Sequence, residues 1–192
     1  MANIYLSSTL LWNGSMEEIF DMVFQSGLDG IELWSQQFFY RKFDIDEFEK
    51  LAALYPLKNC IHSQSWDLNI SSVNDGIRKQ SVTEVKKSVE LAYQLGLDEV
   101  TVHPGHCTIS GIGVSYGAYL KESLREILEY AQKWKIDVSL EIMEKIPREF
   151  VTTMDAMKEV CGDMFDQFVY TLAVAHCDSE EEILSILQNS RP

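Results

Sequence analysis

The chain has 192 residues, 46% apolar and 24% charged, which fits one domain, or at most a tight pair, with a substantial core. Thirty acidic against sixteen basic residues give a formal net charge of −14, which argues against general binding to phosphate backbones. No run of roughly 18 apolar residues and no basic stretch leading into a cleavable apolar segment is present, so neither a membrane span nor a secretory signal is expected.

In chain order, short β-rich runs alternate with amphipathic helical ones. A strand is predicted over residues 4–8, followed by the capping box Ser15-Met-Glu-Glu18 and a helix with Met16, Ile19, Phe20, Val23 and Phe24 on one face. A second strand, 30–34, precedes the aromatic and basic run Phe38-Phe-Tyr-Arg-Lys-Phe43. That run reads as a loop packing onto the molecule, its charge cancelled by Asp44, Asp46, Glu47 and Glu49. The third strand, 58–63, leads to a helix whose Val82, Val85, Val89 and Ala92 recur at three and four residues and which Gly96 stops. After the fourth strand, 99–103, the glycine-rich run 111–117 reads as a mobile lid, and Leu120, Leu124, Ile127, Leu128, Ala131 and Trp134 form the next stripe. Strands at 137–142 and 168–174 follow. A final helix begins at a second box, Ser179-Glu-Glu-Glu182, and is expected to bury Ile183, Leu184 and Leu187.

Six strand–helix units running one way imply a parallel sheet with helices outside it. Ser7-Ser-Thr-Leu stands where a dinucleotide fold would carry its glycine fingerprint, so a barrel is preferred over an open doubly wound sheet. The expected fold is α/β, TIM-barrel-like and incomplete: about six βα units of a (βα)8 barrel. Residues 1–192 form one domain in this reading, and the seventh and eighth units are lacking. Cys60, Cys107, Cys161 and Cys177 are scattered without a CxxC pair and read as the reduced thiols of a cytoplasmic protein.

The polar residues fall in a pattern. All four histidines, His62, His103, His106 and His176, lie at or just past the end of a predicted strand, and Glu141 ends the fifth strand likewise. In a barrel of this class the chemistry sits at that rim. Alternation along each strand turns Val100, Val102, Val138, Leu140 and Ile61 towards the helices, and Glu99, Thr101, His103, Ser139, Glu141, Cys60 and His62 inward. His62, His103 and Glu141 thus offer two imidazoles and a carboxylate to one volume, a donor set suited to Zn, Mn, Fe or Co. Glu32 also points inward and is read equally well as a group orienting a substrate hydroxyl and as a partner for a cation in the barrel floor. His106, beyond Pro104-Gly105, reads as a loop residue.

The run His62-Ser-Gln-Ser-Trp-Asp-Leu-Asn-Ile-Ser-Ser72, then Ile77-Arg78 and Leu91-Ala-Tyr-Gln-Leu-Gly96, resembles the xylose-isomerase-like TIM-barrel superfamily. Val102-His-Pro-Gly105, Leu140-Glu141 and Thr171-Leu-Ala-Val-Ala-His176 continue the likeness in order. The superfamily holds sugar-phosphate isomerases and epimerases, inosose-type dehydratases and isomerases, and abasic-site nucleases of the endonuclease IV group.

The resemblance implies rim roles for His62 and His103, as in the nuclease branch, and a metal-binding and acid–base role for Glu141. His176 looks like the histidine that follows the sixth-strand aspartate, and Ala173 stands where that aspartate usually binds metal. The implied cofactor is a divalent ion (Mn, Zn, Co or Mg), held by Glu141, His62 and His103 with His176, and weakened or lost through Ala173 and the lacking units. The implied activity is sugar or sugar-phosphate isomerisation or epimerisation, by proton transfer at the carbon next to a carbonyl. Glu141 is its catalytic residue, and Glu32, His62 and His103 contact a small polyol or sugar phosphate. An endonuclease IV-like nuclease and a non-catalytic truncated barrel that binds a partner are the alternatives. An open six-stranded sheet exposes two edges, so a homodimer or a partner chain covering them is expected.

Overall fold

The computed structural model describes residues 3–109 and 115–189. Six strands, β1 (Tyr5–Ser7), β2 (Gly30–Trp34), β3 (Lys58–His62), β4 (Glu99–Val102), β5 (Asp137–Ile142) and β6 (Val169–Leu172), form one parallel sheet in the order β1-β2-β3-β4-β5-β6. Each strand pairs with the next in sequence, so every connection crosses over through helix, and the sheet curls into a half-barrel with helices around it. The expected α/β, TIM-barrel-like architecture of six units is the one observed.

Among the described residues, seven α-helices surround the sheet: α1 (Met16–Ser26), α2 (Ser35–Arg41), α3 (Ile45–Leu54), α4 (Asp75–Gln94), α5 (Tyr116–Trp134), α6 (Met154–Cys161) and α7 (Glu180–Asn189). The box at Ser15 closes in both directions, with Glu18 N–H on Ser15 Oγ at 3.2 Å and Ser15 N–H on Glu18 Oε2 at 2.7 Å. Met16, Ile19, Phe20 and Val23 are buried; Phe24, expected with them, lies at the edge of the stripe and packs its ring on Tyr55. The residues that alternation turned outward, Ile61, Val100, Val102, Val138 and Leu140, are at most 2% exposed beneath the helices, and so are Ile31 and Leu33 on β2. Each such side chain contributes about 1.5–3 kcal/mol of burial.

The inner face is polar, as alternation requires. Ser139 Oγ and Thr171 Oγ1 are 2.6 Å apart, and Thr101 Oγ1 is 3.3 Å from Thr171. Cys60 is buried among carboxylates: burial, then Glu32 and Glu99, pushes its thiol far up, so it stays protonated and unreactive.

Several expectations are corrected. The run Phe38–Phe43 is not a loop: residues up to Arg41 belong to α2, which Lys42 ends in the left-handed conformation, and Phe38 is buried. Asp44, taken only as a charge, caps α3 by accepting from Glu47 N–H at 3.0 Å. In α7, Leu184 and Leu187 are exposed and Ile186 packs on the core instead. Lys145 holds Glu182 at 2.6 Å, on the side of the helix where Ile183 and Ile186 are half-buried. At Ser179 only half a box forms, because the Glu182 carboxylate accepts from Asp178 N–H at 3.0 Å. Of the run 111–117 expected to form a lid, residues 111–114 lie outside the described residues, and Tyr116 and Gly117 belong to the first turn of α5.

Candidate functional site

His62 closes β3, His103 follows β4 directly, and Glu141 is the penultimate residue of β5. Their inward parity brings them together at the C-terminal ends of three adjacent strands. His103 Nε2 is 2.8 Å from Glu141 Oε2, His62 Nε2 is 3.3 Å from the same oxygen, and the two Nε2 atoms are 3.0 Å apart. Among the described residues these three are the group of metal-binding side chains whose ligand atoms converge, all within 4.8 Å of one another.

The tautomer of His62 follows from its surroundings. Nδ1 lies 2.8 Å from the carbonyl oxygen of Ser63, which can only accept, so Nδ1 donates; when the ring is neutral the lone pair is on Nε2, facing the cluster, and when it is protonated Nε2–H donates to Glu141. Trp34, ending β2, stacks on the other side of the ring at 3.9 Å between centroids and meets His103 edge-on. Burial alone would raise the Glu141 carboxyl. The hydrogen bonds and charges of His103 and His62 outweigh it and hold the group well below the usual carboxylate range. Burial likewise works to lower His62, but the hydrogen bond to Glu141 and the charges of Glu32 and Glu141 prevail and raise it.

Two imidazole nitrogens and an ionised carboxylate fit a borderline divalent ion. Ligands at about 2.0–2.1 Å in a tetrahedron place their donor atoms about 3.3–3.4 Å apart. The observed separations, 2.8–3.3 Å, lie just inside that spacing, so an ion needs only a slight outward relaxation of the side chains. The set favours Zn, Mn or Co over Mg, which prefers an all-oxygen shell.

The remaining candidates do not belong to this converging group. His176, in the turn after β6, donates Nδ1–H to Ile142 O at 3.0 Å, and its Nε2 faces Glu144 Oε2 at 3.0 Å. It reaches Glu141 only through the other carboxylate oxygen, at 3.5 Å. Ala173, immediately after β6, brings no ligand atom to the rim. Glu32 is level with Ser7 and Cys60 in the sheet register, one inward layer below Trp34 and His62, and lies in the floor rather than in the cluster. His106 is a loop residue whose carbonyl accepts from Asn69 Nδ2 at 2.9 Å.

A cavity of about 770 Å³ opens beside the trio. His103 and His176 line it, with Ser63, Asn69, Glu144 and Arg148 among the other walls, while His62 and Glu141 lie behind His103, 1% and 5% exposed. Trp34, Glu144 and Arg148 did not emerge from the sequence. For Trp34 a signal was available, since it follows inward-facing Glu32 by two residues and so shares its face. No helix among the described residues is long and apolar enough to cross a membrane.

Residues 20–188 match the family model of the xylose isomerase-like TIM barrel. The chain is 27% identical over 143 residues to the uncharacterized protein MJ1311 of Methanocaldococcus jannaschii, covering 70% of itself and 48% of that relative. It thus spans about half the length of that relative. Among solved structures it resembles a D-tagatose 3-epimerase-like protein, with a TM-score of 0.82 and 23% identity over 98% of this chain and 72% of that one. It also resembles the 3-keto-D-glucoside 4-epimerase YcjR of E. coli, with a TM-score of 0.79 and 15% identity over 100% of this chain and 76% of that one. At these identities the two structures establish the fold they share with this chain.

Proposed function

This chain belongs to the xylose isomerase-like TIM barrel family, and from that premise we propose that it is a divalent-metal-dependent sugar isomerase- or epimerase-like protein acting on a small polyhydroxylated carbonyl compound. The observation that carries this reading is the convergence of His62, His103 and Glu141 on one point beside a rim cavity. The similar solved structures named for sugar epimerases agree with it.

His62, His103 and Glu141 would hold the ion, and when bound it would supply a positive charge to polarise a carbonyl and steady the negative oxygen left when the neighbouring carbon loses its proton. The chain's own groups divide the rest of the work. Glu141, kept ionised by two imidazoles, is a weak proton acceptor, so it suits holding charge at the centre better than abstracting a proton alone. Glu144 and His176 stand 3.0 Å apart in the cavity wall, a carboxylate–imidazole pair placed to hold or move a proton on a bound hydroxyl. Trp34 Nε1, Ser63 Oγ and Ser65 Oγ are buried without a protein partner, and polar ligand or water oxygens are what such groups lack.

The test is proton exchange. Candidate aldoses, ketoses and their phosphates are incubated in D2O with the protein and Mn, Zn or Co, and exchange at the carbon next to the carbonyl is followed by NMR. Exchange that depends on Glu141 supports the reading; none with any sugar, in protein that has taken up metal, overturns it.

The nuclease alternative keeps one observation in its favour, the two imidazoles in the trio. A net charge of −14 stands against it. Cleavage of abasic duplex DNA that weakens with salt would favour it over the sugar reading.

A further inference from the structure

We infer that Ser88, acting with Ser35, is a positioning residue for His62: the buried pair of hydroxyls sets the peptide planes after β3 so that Nδ1 is held on a carbonyl and Nε2 faces Glu141 and His103. The inference deepens the metal-centre reading and rests on it.

Four consecutive backbone groups after β3 are each bound. His62 C=O accepts from Ser35 Oγ at 2.9 Å, and Ser63 N–H donates to Thr101 O at 2.8 Å. Ser63 C=O accepts from His62 Nδ1 at 2.8 Å, and Gln64 N–H donates to Ser88 Oγ at 3.1 Å. The Ser63 carbonyl and the Gln64 amide belong to one planar peptide unit. Holding the amide on Ser88 therefore fixes where the carbonyl points, and with it the nitrogen of His62 that carries the proton.

A count of protons gives the pair a direction. Ser35 spends its only O–H on His62 C=O, so the 2.9 Å contact between the two hydroxyls must use the proton of Ser88. That leaves a lone pair of Ser88 Oγ for Gln64 N–H. The competing bond, from Ser88 back to Glu84 O one helical turn earlier, is longer at 3.2 Å. Ser35 and Ser88 are 0% exposed and His62 and Ser63 1%, so water cannot stand in for either hydroxyl. On α4, Ser88 has buried Val85, Val89 and Ala92 as neighbours along the helix, so a small apolar residue would pack there as well.

The experiment uses Ser88→Ala and Ser35→Ala, with Ser123→Ala as control. Ser123 is also buried and donates to a backbone carbonyl, Ile70 O at 2.7 Å, away from the trio. Alanine is the best helix former, so Ser88→Ala keeps α4 intact. With only four histidines, 15N-imidazole NMR of the metal-free protein at alkaline pH resolves every ring, and His62→Gln assigns the one of interest. The parent and Ser123→Ala are expected to show His62 with a protonated Nδ1, and Ser88→Ala and Ser35→Ala a mixture of tautomers. Cobalt(II) should bind these two variants about tenfold more weakly, with altered visible bands, as when a partner behind a metal-ligating histidine is removed. A single Nδ1–H tautomer retained in folded Ser88→Ala and Ser35→Ala overturns the inference. Failure of the parent to take up cobalt would instead overturn the metal-centre reading, and the imidazole spectrum would still decide the positioning.

Discussion

The indole of Trp34 lies flat on the imidazole of His62, the ring centroids 3.9 Å apart and the planes 5° from parallel. With Nδ1 fixed by the Ser63 carbonyl, the stack leaves the ring almost no freedom about its final torsion. Replacing Trp34 by alanine should therefore cost metal affinity even though the indole offers no ligand atom. We expect zinc to bind Trp34→Ala roughly tenfold more weakly by calorimetry, with Trp34→Phe closer to the parent because an aromatic face remains. Parent-like affinity in the alanine variant would show that the stack is packing alone.

The trio geometry separates two kinds of histidine. His62→Ala and His103→Ala each remove a converging donor and should lower zinc or cobalt affinity by roughly 100-fold or more, beyond the usual effect of losing an outer partner. His176→Ala removes a ring turned towards Glu144 and Ile142, and its effect should stay within about tenfold. The sequence resemblance places His176 beside Glu141, His62 and His103 as a metal ligand, and equal losses for His176→Ala and His103→Ala would support that four-ligand expectation.

How far these features were legible in the sequence depended on periodicity. The strands announced themselves because a parallel sheet under helices needs branched apolar side chains on one face. Val100 and Val102 around Thr101, and Val138 and Leu140 around Ser139, show that alternation without any structure. The convergence of His62, His103 and Glu141 followed from parity plus the strand order. Stretches governed by shorter-range or tertiary effects were not legible. Helix α2 has seven residues, too few to display a period, and its aromatics divide between a buried Phe38 and an exposed Tyr40. The face that α7 turns to the core carries Glu182, paired with Lys145, a residue 37 positions away, which no local pattern encodes. The separation of His176 from the trio likewise comes from the turn after β6, where its Nδ1 finds the Ile142 carbonyl.

Gly105 joins the two loops that wall the cavity. Its φ of +77° is strained for any other residue, and a Cβ there would stand 2.6 Å from both Asn69 Oδ1 and Ser71 Oγ. Asn69 Oδ1 accepts from Ser71 N–H at 3.0 Å and from His106 N–H at 3.1 Å, so the methyl group would displace the residue that ties the loop after β3 to the loop after β4. Gly105→Ala should cost roughly 2–4 kcal/mol, a fall of about 5–15 °C in Tm. Asn69→Ala should cost a similar amount. In the double variant the losses should fall well short of additive, because both act on one junction. Full additivity in thermal unfolding would mean that the two residues act independently.

The barrel floor supplies a pH dependence of determined sign. Glu99 faces inward, and its carboxyl is raised mainly by burial, with the charges of Asp98, Asp137 and Glu32 adding to the shift and a hydrogen bond with Ser139 opposing it. A carboxyl whose folded value lies above its unfolded value stabilises the fold fully below the unfolded pKa, and that contribution is lost as pH rises through the folded one. At neutral pH Glu99 therefore costs the fold stability, whether it keeps its charge against burial and like charges or takes up a proton to avoid doing so. Glu99→Gln keeps a polar side chain for Ser139 and removes the charge. Its Tm should exceed that of the parent at pH 7–8, and the gain should shrink on acidification and vanish near pH 4, about the ordinary glutamate value. Parallel Tm curves from pH 4 to pH 8 would show that Glu99 ionises in the floor without cost, through a counter-charge that offsets its burial.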